Sequence, residues 1–76
     1  MELNDFVAKF AEQFDDTDVN SIKATTAFKE LDEWSSLMAL SIIAMIDEEY
    51  EVTAKGEDIR KAVTVEDLFN IVKSKA

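Results

Sequence analysis

The 76-residue sequence has no cysteine, no histidine and no proline, and its one glycine is Gly56. Without cysteine there is no disulfide, no thiolate nucleophile and no cysteine metal site, and a reducing compartment is compatible with the composition. Without histidine the commonest general base and the commonest metal ligand are missing. Long apolar runs are missing too. The longest, around Leu37 to Ile46, is interrupted by Ser41 and is too short to span a bilayer. The opening residues include Glu2 and Asp5 and lack the cationic start of a signal peptide, so a cytoplasmic protein is expected.

Basic residues are scarce as well. Seventeen acids face eight bases, a net charge of −9. From Glu30 to Ala54 there is no lysine or arginine at all, while Glu30, Asp32, Glu33, Asp47, Glu48, Glu49 and Glu51 all fall there. Such a field repels nucleic acid and anionic membrane, and it draws basic protein surfaces toward the chain. Against these absences stand 47% hydrophobic and 33% charged residues, a balance that suits a folded chain. The length suits one domain, residues 1–76, with a modest core and marginal stability.

No stretch alternates as a strand would, and the sequence reads as helical. Leu3, Phe6, Val7, Phe10 and Phe14 keep helical spacing and predict an amphipathic helix from Glu2 to Asp15. The Asp/Thr/Asn/Ser mixture from Asp15 to Phe28 reads as a long loop, pinned to the core by Val19, Ile22 and Phe28. A second helix is expected from Ser36 to Tyr50, with Ser35 as its cap. Leu37, Leu40, Ile43, Ile46 and Tyr50 form its stripe, widened by Ile42 and Met45, so more of the circumference is apolar than one buried face requires. Gly56 marks a break, followed by one or two turns over Glu57 to Ala62 that carry Ile59. Thr64 opens the last helix in a capping-box arrangement with Asp67. The expected fold is all-α, a small four-helix bundle of three main helices and one short one, with a long loop after the first.

Two local patterns run against helix stability or invite chemistry. Asp47, Glu48, Glu49 and Glu51 crowd the C-terminal end of the second helix, the negative end of its dipole, where cations are favoured by roughly 0.3–1 kcal/mol each. Unless Lys55, Arg60 or Lys61 neutralise them, they form a docking surface for basic partners. The Ser35-Ser36 pair sits where a helix starts, and a phosphodiester attached there would meet the positive end of the dipole. No base is placed to activate either serine, so a modification made by another enzyme suits the site better than nucleophilic catalysis. Asp16, Asp18 and Asn20 open like a calcium loop, but Ser21 and Ala27 stand where glycine and glutamate are required.

The run Trp34-Ser35-Ser36-Leu37, continuing from Met38 through Ile46-Asp-Glu-Glu-Tyr50, resembles the D-S-L site and acidic recognition helix of acyl carrier proteins. Phe28 upstream and Thr64-Val65-Glu66-Asp67-Leu68 downstream resemble two further landmarks of that family, so the likeness extends over the whole chain. The resemblance implies that Ser36 carries a covalent 4'-phosphopantetheine arm derived from coenzyme A. It implies that Leu37, Met38, Leu40, Asp47, Glu48 and Glu49 meet partner enzymes, and that Ile46 and Ile59 shelter an acyl chain. The implied protein is a monomeric non-enzyme. Its implied partners are a phosphopantetheinyl transferase and the loading, synthase and transfer enzymes of fatty acid or specialised acyl biosynthesis, which would read it through basic patches.

The sequence departs from the family pattern in several places. Ser35 replaces the usual aspartate, which makes it a rival acceptor. The stretch Leu31-Asp-Glu-Trp34 lacks a common glycine, Ser41 replaces a frequent acid, and Tyr50 replaces a phenylalanine. These changes point away from housekeeping fatty acid synthesis and toward a specialised pathway. An aminoacyl carrier, for D-alanine among others, and an acidic helical interaction module without a prosthetic group remain as alternatives.

Overall fold

The computed structural model describes residues 2–76. Among these residues there are four α-helices: α1 (Leu3–Ala11), α2 (Ser36–Tyr50), α3 (Gly56–Lys61) and α4 (Val65–Lys75). Short 3₁₀ turns at Val19–Ser21 and Phe28–Glu30 interrupt the long first connection. The architecture is the expected all-helical bundle of three main helices and one short one. No described helix is long and apolar enough to cross a membrane.

Helix α1 stops at Ala11, four residues short of the predicted Asp15. Its ladder tightens into i→i+3 bonds, with the Gln13 and Phe14 N–H groups donating to the Phe10 and Ala11 carbonyls at 3.2 and 3.1 Å. The next backbone donors are then claimed from elsewhere. Glu33 accepts from the Asp15 and Asp16 N–H groups at 2.9 and 3.1 Å and from the Thr17 hydroxyl at 2.8 Å. A carboxylate eighteen residues downstream thus draws the chain off its helical path.

The long connection is held at its other end by backbone. Val65 and Glu66, at the start of α4, donate to the Thr26 and Ala24 carbonyls at 3.2 and 2.9 Å. These N–H groups have no partner within their own helix, so the loop satisfies what the helix cannot. Ile22 and Phe28 are buried as expected, but Val19 stands exposed.

At the centre, rings cross the molecule in sequence. Phe69 meets Phe6 at 5.6 Å, Phe6 meets Phe10 at 6.3 Å, Phe10 meets Phe28 at 5.2 Å, and Phe28 meets Trp34 at 4.9 Å. Aromatic contacts of this kind add ~0.5–1.5 kcal/mol each beyond the area they bury. The series links α4 and α1 to the residues immediately before Ser36.

Gly56 does not break the chain; it is the first residue of α3. The change of direction is made by Glu51, which caps α2 in the left-handed region at φ 54° and ψ 39°. A glycine or asparagine is usual at such a position, because a Cβ there is crowded by about 1–2 kcal/mol. Helix α3 is then fixed through Asp58, which is buried and whose carboxylate accepts from the Lys55 N–H at 2.9 Å and pairs with Lys75 at 2.7 Å. Lys75 foremost, and the Lys55 N–H after it, hold the Asp58 carboxyl below its ordinary value.

Candidate functional site

The site is built on the first turn of α2. Ser35 is extended, at φ −159° and ψ 173°, and its hydroxyl oxygen accepts from the Met38 N–H at 3.2 Å. This is the N-cap bond, and it occupies Ser35 architecturally. Ser36 follows as the first helical residue, exposed and outside that bond. Both residues are exposed, and the two adjacent hydroxyls differ in engagement: Ser35 closes the helix, and Ser36 takes no part in that bond.

Helix α2 buries Ile42, Met45 and Ile46, and half-buries Met38, Ala39, Ile43 and Tyr50. Leu37 and Leu40 lie off that face, 73% and 62% exposed. The predicted stripe thus divides, its N-terminal leucines going to the surface and its later members to the core. Exposed leucines beside an exposed serine make a surface that a partner can cover.

The acidic C-terminal end of α2 is paired differently from expectation. Lys55, Arg60 and Lys61 form no ion pair with it among the described residues; Lys9 of α1 reaches Glu49 instead, at 3.6 Å. Lys9 is more tightly engaged with Asp5, at 2.7 Å, and lies 5.4 Å above the Tyr50 ring. Its hydrogen bond to Asp5 pulls that carboxyl below its ordinary value. Asp47, Glu48 and Glu51 are exposed and have no ion-pair partner among the described residues. Glu33, counted above with the acidic stretch, plays another part: the Thr17 hydroxyl and the Asp15 and Asp16 N–H groups hold its carboxyl low and bind the loop to the segment leading into Ser36.

A groove of about 530 Å³ opens beside Ser36, between α2 and α3. Trp34, Ala39, Leu40, Ile43 and Ile59 give it an apolar surface, and Ser35, Ser36, Gly56, Lys29 and Arg60 complete it. Its size lies within the range of small-ligand sites, ~300–1,000 Å³. Of the two residues proposed to shelter a chain, Ile59 lines this groove, whereas Ile46 is fully buried in the core and does not.

Read from sequence, Arg60 is only a candidate neutraliser of the α2 acids and Lys29, thirty-one residues away, has no assigned part; the two meet at the groove. The Lys29 ammonium donates to the Arg60 carbonyl at 2.8 Å, which joins the loop to the end of α3. Neither residue stands out by spacing, and their meeting depends on where α3 is set down. Trp34 is half-buried, with its ring on Phe28 and Phe14, and it also reaches the groove.

Comparison of the chain with known protein families, with curated proteins and with solved structures finds no match.

Proposed function

We propose that this chain is a carrier of the acyl carrier type, loaded on Ser36 with a phosphopantetheine arm and catalysing no reaction of its own. The observation that carries the reading is the division between the two serines: Ser35 is engaged as the cap of α2, and Ser36 is exposed at the next position beside an apolar groove. The residues present suit the group. A phosphodiester on the Ser36 oxygen would lie at the N-terminal end of a fifteen-residue helix, where unpartnered N–H groups and the dipole favour an anion. The arm's thiol would carry cargo as a thioester.

In loading, the Ser36 oxygen attacks the pyrophosphate linkage of coenzyme A. A P–O bond forms to serine, the bond to the adenosine bisphosphate breaks, and the serine proton passes to a base of the transferase. The base would belong to the transferase, because the groove beside Ser36 is lined by no histidine and no carboxylate.

Partner enzymes would then read α2. Leu37, Met38 and Leu40 offer apolar contact near the loading point, and Asp47, Glu48 and Glu49 offer negative charge at the far end. Complementary charge mainly raises encounter rate and selectivity, so these complexes should weaken as salt increases.

Intact-mass measurement after incubation with coenzyme A and a broad-specificity phosphopantetheinyl transferase tests the reading. One arm is expected on the wild type and on Ser35→Ala, and none on Ser36→Ala. An unmodified wild type across several transferases would reject it.

A second reading is favoured by the exposed Leu37 and Leu40 on the same helix as the unpaired Asp47 and Glu48: an acidic interaction module without a prosthetic group. It predicts partner binding that Ser36→Ala leaves unchanged. An aminoacyl carrier differs from the first reading only in cargo, and loading assays with amino acids separate the two.

A further inference from the structure

The groove beside Ser36 runs against the charge of the whole chain. Acids outnumber bases seventeen to eight, yet the groove is lined by two bases, Lys29 and Arg60, and by no acid. Neither base forms an ion pair with a carboxylate among the described residues, where the pairs are Lys9 with Asp5 and Glu49, and Lys75 with Asp58. Lys29 gives one bond to the Arg60 carbonyl, and an ammonium has two further protons to donate. The Arg60 guanidinium passes over Gly56, with Nη1 3.4 Å from where a Cβ on that glycine would stand.

The apolar part of the groove is bounded below. Trp34 rests edge-to-face on Phe28, and Phe28, Ile42 and Ile46 are fully buried, so the groove does not continue into the core. An occupant meets the apolar side chains of Leu40, Ile43 and Ile59 and two cations with no carboxylate partner among the described residues. The lining thus suits an occupant that is short, largely apolar and negatively charged at one point.

We propose that the groove receives a short acyl cargo ending in a free carboxylate, its chain on Leu40, Ile43 and Ile59 and its carboxylate on Arg60 and Lys29. This rests on Ser36 being the point of attachment. In this arrangement the carrier favours dicarboxylic half-thioesters over simple acyl chains of the same length. A planar guanidinium fits a carboxylate with two parallel bonds, a match that an ammonium or a neutral donor does not reproduce.

The test uses a tether in place of the arm, so that the phosphate and the transferase are both absent. The sequence has no cysteine, and Ser36 is exposed, so Ser36→Cys provides one thiol at the right position without touching the Ser35 cap. The intact 76-residue protein is alkylated with a flexible tether of the arm's length that ends in a carboxylate, or with its carboxamide twin. Docking is read from the NMR signals of the Ile43 and Ile59 methyls and the Trp34 indole N–H.

The acid tether is expected to dock about fivefold more than the amide, the size of an exposed ion pair. That preference should vanish in the Lys29→Gln/Arg60→Gln double variant, return in part with Arg60→Lys, and shrink at high salt. Equal docking of the two tethers, docking of neither, or a preference that survives the double variant would overturn the proposal. Failure of a transferase to load Ser36 would instead reject the carrier reading, and the two failures are told apart because the tether needs no transferase.

Discussion

Helices α2 and α4 are built from the same kind of residue to opposite ends. Helix α4 follows each rule of helix stability. Thr64 and Asp67 satisfy each other's backbone donors, Glu66 and Asp67 occupy the first turn, and Lys73 and Lys75 occupy the last. Its apolar residues Val65, Leu68, Phe69 and Val72 are buried, and Ile71 is half-buried. Helix α2 keeps its cap and departs from the rest: no acid in its first turn, no base in its last, a left-handed glutamate at its end, and two leucines in water. A small chain with little stability to lose keeps such departures where a surface has another use. Both helices supply the core, α2 through Ile42, Met45 and Ile46, but only α2 also leaves large apolar residues in water, which is the surface the proposed function assigns to partners.

The contrast breaks first on its leucines. Leu68→Ala should destabilise the protein by about 3 kcal/mol, as for a fully buried leucine, whereas Leu37→Ala and Leu40→Ala should stay within about 0.5 kcal/mol. Urea denaturation followed by circular dichroism measures all three, and a large loss at Leu37 or Leu40 would return those residues to the core. The caps come next. Thr64→Ala on α4 and Ser35→Ala on α2 should each cost about 1 kcal/mol, while Ser36→Ala should be close to neutral. The same denaturation experiment reads them.

Relieving the end of α2 should have the reverse sign. Glu51→Gly is expected to raise stability by about 0.5–1 kcal/mol by removing the left-handed Cβ clash, and Glu48→Lys by about 0.3–1 kcal/mol by placing a cation at the negative end of the dipole. If α2 is a docking surface, Glu48→Lys should also slow association with a basic partner, an effect visible in surface plasmon resonance at low salt.

The smallest effect is a change of slope. Asp5, Glu33, Asp58 and Asp67 all hold their carboxyls below ordinary values of 3.8 for aspartate and 4.5 for glutamate. A lowered carboxyl stabilises the fold above its ordinary value, and that contribution is lost as pH falls through the folded value. Stability should therefore decline below about pH 4.5, and Glu33→Gln should flatten the decline without abolishing it. Thermal melts between pH 3 and 6 (~1 kcal/mol resolution suffices) would show an unchanged slope if Glu33 were not holding the loop.

What the sequence disclosed and what it withheld divide along one line. The bounds of α2, the Ser35 cap and the Thr64–Asp67 box were all legible, because each depends on residues within three or four positions. The end of α1 was not, since the residues after it, Asp15 and Asp16, give their N–H groups to Glu33, eighteen and seventeen residues further on. The left-handed turn at Glu51 gave no signal, as no glycine marks it. Surplus apolarity on α2 did announce itself, and the structure sends Leu37 and Leu40 outward. Lys29 and Arg60 were invisible as a pair, because only the placement of α3 against the long loop brings them to one groove.

The two serines have a further consequence, which concerns fidelity. A transferase that strayed by one residue would esterify the oxygen that receives the Met38 N–H. On the carrier reading, a group placed there would replace the hydroxyl-to-Met38 bond, worth about 1 kcal/mol as it stands, with whatever contact the phosphate's own oxygens make. Addition at Ser36 leaves the cap intact. If Ser36 is the loading point, the hydroxyl that closes α2 and the hydroxyl that is modified are kept one residue apart, so that loading and helix capping do not compete for one oxygen.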